Sequence, residues 1–360
     1  MSISKDVLRY DEQAIMRLRS LYKQYGYTQY RMSRFEEYGL YAENKAFLAP
    51  GEIITFTGAG GKLMALRPDV TLSIVKNMTD SGGMRKLYYN ENIYRPEGHD
   101  FKERMQVGLE CIGDIDVYTM SEVLMLAGRS LSELSKKSRL DISHMGYISG
   151  LLNSADLTAK QRMELIRRIR EKNAPEIKSL CAEYGLADSF MERVTALTSL
   201  YAPYGDALIE LRKLSVNEET EAALRELESI RDSLGRFGAG QDISIDFSIV
   251  NDLDYYNGVI FQGCIDGIPV KVLSGGSYDR LLHRFGKKSG AIGFAVYLDL
   301  LEMLAPARGA PDIDVLLLYG DNTDPGALAR EVGALTAEGR SVRVQREKPE
   351  NIKYKRLMTM

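Results

Sequence analysis

Four short segments hold residues able to do chemistry: Leu66-Arg-Pro-Asp-Val-Thr71, Ile93-Tyr-Arg-Pro96, Leu253-Asp-Tyr-Tyr-Asn-Gly258 and Ser274-Gly-Gly-Ser-Tyr-Asp279. Gln106 and Glu110 follow the second of them. Asp69, Glu110 and Asp254 suit a ligand ammonium, while Gln106 and the tyrosines of these segments suit a polar ring. Arg67 and Arg95 carry the planar fork that grips a phosphate or a carboxylate. Convergence of the four segments would make a pocket. Several other chemistries are not written here. No GxSxG elbow occurs, and no cysteine has an assignable histidine partner. Gly286-Lys-Lys288 lacks the upstream glycine and the Ser or Thr of a P-loop. Cys111, Cys181 and Cys264 are as scattered as His99, His144 and His283, so neither a disulfide framework nor a zinc site is expected.

The candidate residues need strands to hold them. From Arg104 to Cys111, Met105, Val107, Leu109 and Cys111 alternate with Arg104, Gln106, Gly108 and Glu110, the period of a half-buried strand. Gln106 and Glu110 then lie about 13 Å apart on one face, which is either solvated or the floor of a polar pocket. Glu52–Thr57 and Lys62–Arg67 flank Gly58-Ala-Gly-Gly61 as a hairpin, with glycines that serve the turn. Ile243–Ile249 alternates without a break, and Gly258–Gly263 with Ile268–Leu273 flanks an Asp266-Gly267 turn. Tight turns between strands imply an antiparallel sheet.

Helices frame these strands. Ile15, Leu18, Leu21 and Tyr22 mark one over Asp11–Tyr25. Residues from about 155 to 236 form a helical insertion. Thr158 and Gln161 make a capping box, Pro175 opens a second helix, and the stripe Ala223, Leu227, Ile230 and Leu234 ends at Gly235. After Pro311, Asp314–Tyr319, Pro325–Leu335 and Ser341–Gln345 read as strand, helix, strand. The expected class is therefore α+β.

Composition narrows the function classes. The 360 residues suggest roughly two domains, possessing 47 basic and 50 acidic residues for a net charge of −3. That balance gives no broad grip on nucleic-acid phosphate. Residues 341–360 carry a local +4 that residues 311–340 offset with −4, the pattern of a solvated end. No apolar run approaches the ~20 residues of a membrane helix. The first ten residues contain no targeting segment, and sparse cysteines fit a reducing cytoplasm.

Taken together, the segments resemble the catalytic core of a class II aminoacyl-tRNA synthetase, specifically the histidyl-tRNA synthetase family. The resemblance covers about 1–152 and 240–305. Leu66–Thr71 is similar to the family's LRPEGT, Gln106 and Glu110 to its QxGxE, Leu253–Tyr256 to its LDYY, and Ser274–Asp279 to its SGGRYD. It implies a histidine site of Asp69, Thr71, Gln106, Glu110, Asp254, Tyr255 and Tyr256, with Arg95 as a vestigial phosphate-binding residue. It also implies a synthetase-like antiparallel sheet flanked by helices over 1–152 and 240–308. The helical insertion spans 153–239, and a truncated anticodon-binding-like α/β unit covers 309–360.

The departures point away from catalysis. Asn251 stands at the catalytic arginine of VRGLDYY, Leu300 at the arginine of GFAxGLERL, and Tyr297 at a glycine of that motif. The proline of motif 1 is missing around Ser33. One lost preorganised charge typically costs about 10²–10³ in rate, so two argue against adenylation. A histidine pocket without activation residues is similar to ATP phosphoribosyltransferase regulatory subunits. That resemblance implies no catalytic residues, no metal and no cofactor, and a role in histidine biosynthesis. The implied partners are a short-form catalytic subunit and a second copy in a class II-type dimer within a hetero-octamer, with histidine as effector and no tRNA. An active histidyl-tRNA synthetase and a freestanding histidine-binding paralogue are the alternatives.

Overall fold

The computed structural model describes residues 8–45, 48, 53–78, 83–98, 100–239, 242–250, 256–304 and 311–360. The chain divides into two compact units, Met1–Leu304 and Ala305–Met360.

The first unit opens with α1 (Tyr10–Gln24), β1 (Thr28–Gln29), β2 (Phe35–Glu37) and α2 (Tyr38–Glu43). Next come β3 (Thr55–Thr57), β4 (Leu63–Leu66) and α3 (Val70–Asn77). The long hairpin of β5 (Arg85–Glu97) and β6 (Asp100–Gly113) leads to α4 (Val117–Leu134), β7 (Ser138–His144) and α5 (Met145–Asn153). The helical segment holds α6 (Ala159–Arg170), α7 (Ala174–Glu183), α8 (Asp188–Ser199), β8 (Tyr201–Pro203), α9 (Tyr204–Leu214) and α10 (Glu218–Arg236). The unit ends with β9 (Ile243–Asp246), β10 (Val259–Ile265), β11 (Leu273–Ser277), α11 (Asp279–Arg284), β12 (Gly290–Tyr297) and a 3-10 helix over Leu298–Leu304.

Nine of these strands form one sheet in the order β1-β5-β6-β12-β11-β10-β7-β9-β8. From β5 to β7 every neighbour is antiparallel. That brings β6, early in the chain, beside β12, late in it, with Gln106 opposite Tyr297 and Glu110 opposite Gly293. The sheet is buried on both sides at this point. Val107, Leu109 and Cys111 face the main core with α1 and α4, while Gln106 and Glu110, on the opposite face, are 8% and 2% exposed.

β3 and β4 pair as the expected hairpin, with Gly60 and Gly61 in the left-handed region that a side chain would strain. The capping box at Thr158 and the Pro175 start are present in α6 and α7. Three expected boundaries need correction. The α10 stripe runs on to Arg236 and stops near Gly238, whose φ is +67°, because Gly235 tolerates a helical turn. β9 ends at Asp246, whose side chain accepts the Ser248 N–H and turns the chain. The partner of β10 is Leu273–Ser277, not Ile268–Leu273. Gly267 turns at φ +91° and Pro269 cannot donate to a ladder, so pairing resumes only at Leu273.

In the second unit, β13 (Ile313–Leu318) lies between β14 (Val342–Gln345) and β15 (Tyr354–Thr359), parallel to both. The crossover is α12 (Pro325–Ala337), which Asp324 caps by accepting the Gly326 and Ala327 N–H groups. β15 adds a third strand to the strand-helix-strand expected from sequence.

Candidate functional site

A cavity of about 540 Å³ opens on the polar face of β6. Asp69, Thr71, Arg95, Gln106, Glu110, Tyr256 and Leu300 all line it. The alternation of Arg104 to Cys111 therefore resolves as a pocket floor, not a solvated face. Asn251, Asp254 and Tyr255 lie outside the described residues.

Local structure fixes each group. Asp69 caps α3, its carboxylate accepting the Leu72 N–H at 2.9 Å, and this cap sets Thr71 in the first turn, over the sheet. The Thr71 hydroxyl donates to Glu110 Oε1 at 3.0 Å. From the other side of the pocket the Tyr278 hydroxyl donates to Glu110 Oε2 at 2.6 Å. Tyr278 itself is anchored by its N–H to Ala291 O, between β11 and α11. The Glu110 carboxylate lies so close to Gly293 that a Cβ there would collide with it, which explains a glycine in the middle of β12. Burial pushes the Glu110 carboxyl up to about 8, against the lowering pull of Tyr278 and Thr71 and with a further rise from Asp69. Burial also raises the Asp69 carboxyl, opposed by the Leu72 N–H and by Arg95.

The other end differs in chemistry. Arg95 donates its Nε–H to Pro68 O at 2.9 Å, which points it along the Leu66–Thr71 segment. Tyr297 bonds Ser274 Oγ at 2.6 Å across β11 and β12. Arg104 lies 3.8 Å from Asp299 of the 3-10 helix, and Leu300 adds an aliphatic wall. Arg67 corrects the reading that paired it with Arg95. It is wholly buried and donates to Ser33 O, Glu91 and Asn92 O, so it ties segments together instead of facing a ligand.

Tyr89, Arg104 and Lys271 line the cavity without having been singled out as site residues, and Tyr278 lines it with them. Arg104 could have been found, since it shares the face of Gln106 and Glu110. Tyr278 stood inside the Ser274–Asp279 segment, but nothing local shows its hydroxyl reaching Glu110. Among the described residues, no group of three or more His, Cys, Asp or Glu could hold a metal ion, and no helix is long and apolar enough to cross a membrane.

Residues 4–301 match the model of the histidyl-tRNA synthetase family. The chain belongs to that family. The match spans the sheet, the pocket and the helical segment. An ATP phosphoribosyltransferase regulatory subunit from Caldanaerobacter subterraneus is 30% identical over 301 residues, covering 81% of this chain and 77% of that protein. This identity places the chain, within the histidyl-tRNA synthetase family, with the ATP phosphoribosyltransferase regulatory subunits. A second protein of that name, from Oceanobacillus iheyensis, is 27% identical over 321 residues, covering 87% of this chain and 79% of that one. The solved structure of an ATP phosphoribosyltransferase regulatory subunit/histidyl-tRNA synthetase from Bacillus halodurans superposes with a TM-score of 0.79 at 24% identity, covering 97% of this chain and 93% of that one. That likeness establishes the shared fold, the class II synthetase-like sheet with its flanking helices.

Proposed function

We propose that the chain is the non-catalytic regulatory subunit of an ATP phosphoribosyltransferase, a glycosyltransferase that begins histidine biosynthesis. In this reading it is needed for the activity of a short-form catalytic subunit and carries feedback control by histidine. The observation that supports it best is the contrast within one cavity. The end built from Asp69, Thr71, Glu110 and Tyr278 keeps a dense polar lining. At the other end Leu300 supplies hydrocarbon where adenylation needs an arginine, and Tyr297 fills a glycine position. Recognition of an amino acid survives that exchange; stabilisation of a reacting triphosphate does not.

Histidine is the ligand this lining suits. Asp69 and Gln106 would take the α-ammonium and Glu110 the imidazole, with Tyr256, Tyr255 and Asp254 closing over it. Arg95 is left as a cation without a nucleotide to hold. Feedback then requires that histidine bind the active and inhibited states of the complex with different affinity. The protein would work in the cytoplasm, as a synthetase-type dimer within a hetero-octamer, without tRNA.

Co-expression with a short-form catalytic subunit tests the assignment. The expected result is a stable complex of the two chains, and no ATP–pyrophosphate exchange by this chain at saturating histidine. Robust exchange would restore the active synthetase. Absence of a complex would favour a freestanding paralogue.

A further inference from the structure

Glu110 is held in a way that bears on which form of the ligand the pocket accepts. Both its oxygens receive hydroxyl donors, from Thr71 at 3.0 Å and Tyr278 at 2.6 Å, and the residue is 2% exposed. Facing it are Asp69 and Thr71 from the start of α3, Tyr89 from β5, Tyr278 ahead of α11, and Gly293 of β12. Asp69 among these carries the same sign of charge. Arg95, Arg104 and Lys271 line the same cavity, Arg95 with its Nε–H given to Pro68 O and Arg104 3.8 Å from Asp299. Among the described residues, no Lys, Arg or His forms an ion pair with Glu110. A carboxylate buried without a cation is the disfavoured form. The acid fits the same partners, because the Thr71 and Tyr278 hydroxyls can accept as well as donate.

We propose that Glu110 stands in the empty pocket as the acid and passes its proton to the ligand's azole ring, so that the pocket binds an imidazolium. The Glu110 O–H bond breaks, its electron pair stays on the carboxylate, and a ring N–H bond forms. The new cation supplies the missing charge, while Thr71 and Tyr278 already stand as donors to the carboxylate. Between about 6.5, where free imidazole titrates, and about 8, where burial places Glu110, binding exchanges no proton with solvent. Above that range binding takes one up, and below it binding releases one. This inference rests on the histidine reading of the pocket and adds a chemical requirement: the ring must be about as basic as imidazole. A 1,2,4-triazole of the same shape is too weak a base to accept the proton.

The test is the nitrogen NMR spectrum of ring-15N histidine bound to the full chain at pH 8, where the free ring is neutral. Protons on both ring nitrogens are expected with the native protein, and on one nitrogen with Glu110→Gln. A neutral ring in the native complex overturns the proposal and leaves histidine binding intact. No bound ring signal from folded protein overturns the histidine reading as well. A second measurement does not depend on the variant folding. Triazolylalanine should bind the native chain about 30-fold more weakly than histidine at pH 7.5, the scale of a lost charge-assisted hydrogen bond. Equal affinities would contradict proton transfer.

Discussion

The two ends of the cavity share a sheet and differ in what their polar groups engage. At the Glu110 end, two hydroxyls and a glycine close approach converge on one carboxyl, beside the Asp69 carboxylate that caps α3. At the Leu300 end, a tyrosine is tied to Ser274 and an arginine lies near Asp299, beside hydrocarbon. A site that must stabilise developing charge needs preorganised donors aimed at the reacting atoms; a site that only binds needs complementarity to one state of its ligand. Both ends draw on β6 and β12, so they differ by single side chains on shared strands and not by separate elements.

Four substitutions test the contrast between the two ends. Glu110→Ala should have the largest effect, weakening histidine about 100-fold by calorimetry, because Thr71 and Tyr278 lose their acceptor along with the ligand. Unchanged affinity would place the ligand elsewhere. Glu110→Gln tests the cost of burial. The folded carboxyl lies above its unfolded value, so its contribution is fully present below about 4.5 and is lost as pH rises through about 8. Denaturant titrations from pH 6 to pH 8 should show the native chain losing about 2 kcal/mol relative to this variant. A parallel course of the two proteins would mean that Glu110 is ionised throughout.

Tyr278→Phe removes one of the two donors and should weaken histidine about 10-fold, with the stability of the unliganded protein little changed. Equal losses of affinity and stability would instead make Tyr278 a packing residue. Leu300→Arg should do least: histidine affinity within about threefold of native and no ATP–pyrophosphate exchange, since one restored charge does not rebuild a preorganised site. Exchange activity in that variant would mean that the Leu300 end needs only this side chain.

Much of the Glu110 end was legible in sequence because it depends on local periodicity. The alternation around Gln106 and Glu110 placed both on one face, whereas the helix that Asp69 caps was not read from sequence. Whether that face met solvent or ligand was not legible. It is decided by Gly293 of β12 and by Tyr278, whose hydroxyl reaches Glu110 from 168 residues away along the chain. The same limit explains Arg67. Its fork is as suited to phosphate as that of Arg95, and only the carbonyls of Ser33 and Asn92 show that it is already committed. The strand predicted at Ile268 failed for a local reason, a turn that stays open past Pro269 before β11 begins. The α/β unit was readable through β14, whereas β15 lacks the apolar alternation that would have marked it.

The transferase rate of a short-form catalytic subunit, measured with this chain added and histidine titrated in, tests the central claim most directly. The chain is expected to raise the rate, and histidine then to lower it. A rate indifferent to the chain, or a complex indifferent to histidine, would contradict it.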